Sequence, residues 1–247
     1  MKKILIALVF SLLLSGCIPE EFDFKSKVPV TDQTVVITPV DKPKIPSVTA
    51  EQAPQAELPK SVNRAVPFFP QAPDGNWDLP WEEACEEASL TLAYAYATGE
   101  TLTKDDFRQK VLDMVEWEKK TFGFYEDTTV AYAARILTEF LNFTDFEVME
   151  DATVEKMKTA LAEGDVIVAP FAGRLLKNPF YSGEGPVYHM LVIRGYDEEN
   201  FITNDVGTRR GENFIYPYER IMEALHDYDP RAMTYGARTV IVVRKSS

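Results

Sequence analysis

Between residues 83 and 141 the apolar side chains of this sequence recur three and four positions apart, and from residue 146 onward they come in short unbroken runs. The first spacing lays a stripe along a helix and the second suits buried strands, so helices come first and a sheet follows. Helices are expected over about 83–98, where Ala84, Ala88, Leu92 and Ala95 recur before a stop at Gly99, over 104–119 behind the cap residue Thr103, and over 127–141. Strands are expected at 146–149, 166–169, 188–196, 201–203 and 239–243, with helices at 153–162, ended by Gly164, and at 218–225. This order predicts an α+β fold in which an N-terminal helical lobe packs against a C-terminal antiparallel sheet, the two facing each other across a cleft.

The first sixty residues follow neither pattern. Lys2 and Lys3 precede an apolar run from Ile4 to Leu14, which is too short to span a bilayer and reads as an export signal. The run ends in Leu14, Ser15, Gly16 and Cys17, and "LSGC" resembles the lipobox of bacterial lipoproteins. That resemblance implies cleavage before Cys17 and a diacylglycerol thioether on its sulfur. Two or more acyl chains hold a protein firmly at a membrane surface without crossing it, so the expected location is the outer face of the cell membrane or an outer membrane. Residues 18–62 carry Pro19, Pro29, Pro39, Pro43, Pro46, Pro54 and Pro59 with no sustained period, the composition of a disordered tether with a coil span of roughly 35 to 40 Å. The folded domain is assigned to residues 63–247.

Net charge narrows the partners. The chain carries 39 acidic against 26 basic residues, for a formal charge of -13, and no basic cluster offsets this, so nucleic acid is excluded as the expected partner. Two histidines and one thiol beyond the lipobox are a thin set for zinc, and neither a metal nor a cofactor is expected.

With Cys17 lipidated, Cys85 has no intramolecular partner. A leftover thiol in an exported protein is intermolecular, buried and inert, or kept for reactivity. Cys85 lies in "PWEEACEEASL", in the expected first turn of a helix, where converging backbone N–H groups favour the thiolate. Glu82, Glu83, Glu86 and Glu87 oppose it, and suit the helix dipole only by pointing to water.

A cation beside the sulfur would help, and only His189 and His226 can titrate as imidazoles. His189 opens the strand "YHMLVIRGY" on the face shared by Leu191 and Ile193; His226 sits beside acids at a helix end and reads as structural. Asp205, ending "FITND" one strand later, could hold the far nitrogen of the His189 ring, or simply open the turn leading to Gly207. Trp77, Trp81, Tyr181 and Tyr188 lie near these residues in sequence and read as core or as a groove lining; Arg209 and Arg210 of "GTRRG" read as a turn.

Three blocks in order, "VPFFPQAPDGNWDLPWEEACEEASL", "GPVYHMLVIRGYD" and "ITNDVGTRRGENFIYPYERIMEALHDY", resemble peptidase C39-like proteins, a branch of the papain-like cysteine peptidases, over about residues 63–245. The resemblance implies a papain-like fold, with Cys85 as nucleophile, His189 as general base and acid, Asp205 orienting the ring, and Gln71 donating to the oxyanion. It implies a peptide or protein substrate. The sequence lacks G-x-x-x-x-G-K-[ST], so the transporter-fused type is not expected. Two other functions fit the same residues: a scaffold lipoprotein without turnover, and an acyl transferase of transglutaminase-like type.

Overall fold

In a computed structural model, residues 57–245 are described. The export signal, Cys17 and the tether up to residue 56 lie outside the described residues. The chain runs β1 (Val62–Asn63), a 3-10 turn (Trp81–Glu83), α1 (Cys85–Thr98), α2 (Lys104–Thr121), α3 (Val130–Arg135) continuing as a π turn (Ile136–Phe140), β2 (Phe146–Met149), α4 (Val154–Glu163), β3 (Val166–Ala172), α5 (Gly173–Leu176), β4 (Tyr188–Tyr196), β5 (Asn200–Asn204), β6 (Phe214–Pro217), α6 (Tyr218–Ala224), a 3-10 turn (Met233–Tyr235) and β7 (Val240–Val243). All strand pairs are antiparallel, in the order β2-β7-β3-β4-β5-β6, with β1 added to β4.

Local chemistry sets most boundaries. Thr103 closes a capping box with Asp106 at the start of α2, Thr129 and Thr153 cap α3 and α4, and Gly99 and Gly164 take the left-handed conformation that ends α1 and α4. Strand β3 continues through Pro170 where the expected strand stopped at Ala169. Its pairing with β7 ends at Val168, so Pro170 has one unpaired side and its missing N–H breaks no second ladder. The edge strand β6 was not expected: four residues bounded by turns, with Ile215 exposed, carry little period. Pro59 and Val62, within the stretch assigned to the tether, are held to the sheet, where the Pro59 carbonyl accepts from the Tyr196 hydroxyl and Val62 pairs with Tyr196.

Helices cover both faces of the sheet. Residues from α1, α2 and α3 pack with Tyr188, Met190, Val192 and Ile241. Residues from α4, α5 and α6 pack with Ile167, Leu191, Ile193 and Val242. A C-terminal helical layer on the far face therefore joins the expected helical lobe. The apolar stripe assigned to the first helix also proves too narrow, because α1 is buried on nearly every side from Cys85 to Ala93. Leu90 and Leu92 are both fully buried, each contributing about 1.5 to 3 kcal/mol through its removal from water. No helix among the described residues is long and apolar enough to cross a membrane.

Candidate active site

The 3-10 turn Trp81–Glu83 and the break at Ala84 deliver Cys85 as the first residue of α1. At that position its backbone N–H has no intrahelical acceptor. Two bonds, one helical turn apart, fix α1 to β4: the Met190 N–H donates to Cys85 Sγ at 3.3 Å, and Ser89 Oγ donates to the Met190 carbonyl at 3.0 Å. Cys85 is thus set beside the strand that carries His189. It is 5 % exposed, unpaired by any disulfide, and lines the same cleft of about 790 Å³ as His189 and Gln71.

His189 and Asp205 form the second half of the site. His189 Nε2 lies 2.9 Å from Asp205 Oδ1. A nitrogen facing a carboxylate holds the proton, which leaves Nδ1 as the basic nitrogen. Asp205 also opens its turn, since the Gly207 N–H donates to the same Oδ1 at 3.0 Å. The other oxygen accepts from Asn178 Nδ2 and Tyr181 OH, both at 2.8 Å, and from Tyr216 OH at 2.6 Å. Complete burial would raise this carboxyl, yet the His189 charge and these donors outweigh it and hold Asp205 below its ordinary value. In turn burial and the Asp205 charge push the Tyr181 and Tyr216 phenols up, so both remain donors.

Gly207 makes room for the ring. A Cβ there would lie 2.9 Å from His189 Cε1 and 3.0 Å from Tyr181 Cε1.

Gln71 is placed differently from its expected role. Its Nε2 donates to the carbonyls of Trp81 and Glu82 at 2.9 and 3.0 Å, which commits both amide hydrogens to the turn before Cys85. The reverse amide orientation would set an oxygen against two carbonyl oxygens. Gln71 lines the cleft with both amide hydrogens given to that turn, the arrangement of a clamp.

Glu86 and Glu87 correct another expectation. Neither reaches water: they are 1 % and 0 % exposed. The Cys85 thiol donates to Glu86 Oε2 at 3.0 Å, and no hydrogen bond joins Cys85 to His189 among the described residues. Burial and the adjacent Glu86 charge push the thiol well above its ordinary value, so the sulfur is protonated in this arrangement. Glu87 faces Glu118 of α2, and neither carboxyl has another partner, so the pair is compatible with burial only by holding a proton between them.

Of the aromatic residues noted from sequence, Trp77, Tyr181 and Tyr188 line the cleft, while Trp81 packs against the core. Arg209 and Arg210 line it as well, with the Arg210 guanidinium 4.8 Å from the centre of the Phe180 ring. Glu82, Glu83 and Asp127 supply negative charge to the same opening. His226 Nδ1 meets the Gly236 carbonyl at 2.9 Å, away from these residues. Asn178, Tyr216, Gly207 and Thr128 escaped sequence reasoning, because each acts through a partner from a distant segment. Among the described residues no group of three or more His, Cys, Asp or Glu is arranged to hold a metal ion.

The sequence model described as "Peptidase_C39 like family" matches residues 64–232. The chain belongs to the Peptidase_C39 like family. Among solved structures, this C39-like chain is similar to a protein of Bacillus anthracis assigned as a C39-like peptidase, with 16% identity and a TM-score of 0.52, covering 76% of this chain and 100% of that one. It also resembles Xylellain, a cysteine protease from Xylella fastidiosa, with 16% identity over 78% of this chain and 88% of that one; the TM-score of 0.43 is too low to bear on the fold. No curated protein matches the chain. The mixed helices on an antiparallel sheet seen here are the fold shared with that C39-like chain of Bacillus anthracis.

Proposed function

We propose that this C39-like protein is a lipid-anchored cysteine peptidase of the bacterial cell envelope, held at the membrane by Cys17 and hydrolysing peptide bonds through Cys85, His189 and Asp205. The observation that carries the reading is the 2.9 Å contact of His189 Nε2 with the buried Asp205 carboxylate, in the cleft that Cys85 also lines. In the reaction the Cys85 proton passes to His189 Nδ1 as sulfur attacks the carbonyl carbon. The imidazolium then protonates the leaving amine, leaving a thioester that water, deprotonated by His189, hydrolyses. Asp205 keeps the ring oriented and balances its charge. The unpaired Cys85 N–H at the start of α1 is the donor for the oxyanion; one such donor is typically worth about 3 to 4 kcal/mol.

A peptide library offered to the purified full-length protein tests this. Wild type should cleave, and Cys85→Ala and His189→Ala should not. Cleavage that persists in both variants would refute the assignment, and no cleavage by any form would favour the scaffold reading. Products joined to an added amine in place of water would identify an acyl transferase. For the anchor, labelling with a fatty-acid analogue should mark wild type and not Cys17→Ser.

A further inference from the structure

Glu86 follows the proposed nucleophile directly, and both its oxygens are engaged as acceptors. Oε2 takes the Cys85 thiol at 3.0 Å; Oε1 takes the Thr128 N–H at 2.7 Å, with Thr128 Oγ1 at 3.4 Å. A carboxyl that only accepts is ionised. The sulfur's proton is therefore committed to Glu86, while the base that would remove it, His189 Nδ1, has no hydrogen bond to Cys85 among the described residues. Two bases compete for one proton.

We propose that Glu86 is a positioning residue that holds Cys85 as a resting thiol turned from His189, and that protonation of Glu86 releases the sulfur for ionisation. The inference rests on Cys85 being the nucleophile. The step takes up one proton from solvent: it neutralises Glu86, whose new O–H donates to Sγ, and the former S–H proton moves to His189 Nδ1. A thiolate beside a carboxylate becomes a thiolate beside a hydrogen-bond donor.

The surroundings of Glu86 favour its neutral form. Glu87 stands beside it on α1, Glu118 faces it from α2, Asp127 from the loop before α3, and Tyr188 from β4, whose phenol the Glu86 charge helps push up. No Lys or Arg pairs with it among the described residues. Burial, with the Asp127 charge adding, pushes Glu86 up to about 7, so the release falls near neutral pH. Above that value the thiol is held; below it the sulfur is free to pair with His189.

The test is iodoacetamide labelling of Cys85 in the full-length protein, followed by mass spectrometry of its peptide from about pH 5 to about pH 9. Glu86→Gln, neutral at every pH and carrying an N–H donor, should label about tenfold faster than wild type near pH 8 and match it below about pH 6. Equal or slower labelling by a folded Glu86→Gln across the range would overturn the proposal. The S–H stretching band of wild type gives a readout that needs no Glu86 variant. The band assigned to Cys85 by its loss on Cys85→Ser should weaken as pH falls through about 7, as the proton leaves sulfur for His189, and a band of unchanged intensity would also overturn the proposal. His189→Ala separates the two claims. If it labels like wild type below about pH 6, where His189 would take the sulfur's proton, the peptidase assignment fails, whereas the Glu86 effect is read from Glu86→Gln and from the S–H band.

Discussion

The Met190 N–H donates to Cys85 Sγ at 3.3 Å, tying the first residue of α1 to the strand position that follows His189. Ser89, one turn along α1, completes the tie by donating to the Met190 carbonyl. Both contacts lie in the interior, so the register of helix on strand sets the distance between the two halves of the site.

Ser89→Ala leaves that buried carbonyl without its side-chain donor, and should lower stability by about 1 to 3 kcal/mol. Urea denaturation measures the loss. Peptide cleavage should fall as well, because the helix end that carries Cys85 is freed; unchanged denaturation would show that Ser89 does not hold α1.

The buried carboxyls predict an unusual stability profile. Burial pushes Glu118 up to about 8 and Glu86 up to about 7, and pushes Glu87 well above its ordinary value, whereas the unfolded chain ionises glutamate near about 4.3. Between those limits the folded protein binds more protons than the unfolded chain. Stability is therefore full below the unfolded value and declines as pH rises through the folded values. Asp205 acts in the opposite sense, and its contribution is lost only at acid pH below its ordinary value. Melting temperature should fall from mildly acidic to mildly alkaline solution, and Glu118→Gln should flatten that fall and raise the melting temperature near pH 8. A profile in Glu118→Gln that parallels wild type would contradict the shared-proton arrangement.

Gly207→Ala would place a methyl 2.9 Å from His189 Cε1. Its backbone does not need glycine for a left-handed turn, as Gly207 is absent from the positive-φ residues, so the consequence is contact with the ring. Displacing His189 from Asp205 should reduce cleavage about tenfold to a hundredfold with a small change in melting temperature. Full activity in this variant would mean that the ring has freedom the packing does not indicate.

Gln71→Ala distinguishes a clamp from an oxyanion donor. Loss of the clamp on Trp81 and Glu82 should appear in stability, at about 1 to 3 kcal/mol, with activity falling in step as the turn before Cys85 loosens. Loss of a pure oxyanion donor would lower kcat by about a hundredfold to a thousandfold and leave the melting temperature in place. Thermal melting read alongside turnover separates them.

Local signals placed much of this architecture. Thr103, Thr153, Gly99 and Gly164 act within one turn of the residues they cap, so their meaning is written in short stretches of sequence. Strand β4 was legible end to end because nine consecutive residues are buried. The edge strand β6 and the two-residue β1 were not, since each is defined by a partner strand and not by a period of its own. At the candidate site the helix-start and strand-start positions singled out Cys85 and His189, left Asp205 between ring partner and turn opener, and only the family resemblance made them a set with Gln71 beside them.

What the sequence by itself determined is therefore the α+β order, the position of Cys85 at a helix start and of His189 at a strand start, because caps, stops and periods are local interactions. Only the tertiary structure decided which way the polar groups turn. Glu86 and Glu87, which read as a solvated helix end, are enclosed by α2, β4 and the loop before α3. Asp205 gains donors from Asn178, Tyr181 and Tyr216, and Gln71 gives its amide to carbonyls ten and eleven residues away. Burial and hydrogen-bond partners depend on segments far apart in the chain meeting in space, and the spacing of residues along the chain carries no record of which will meet.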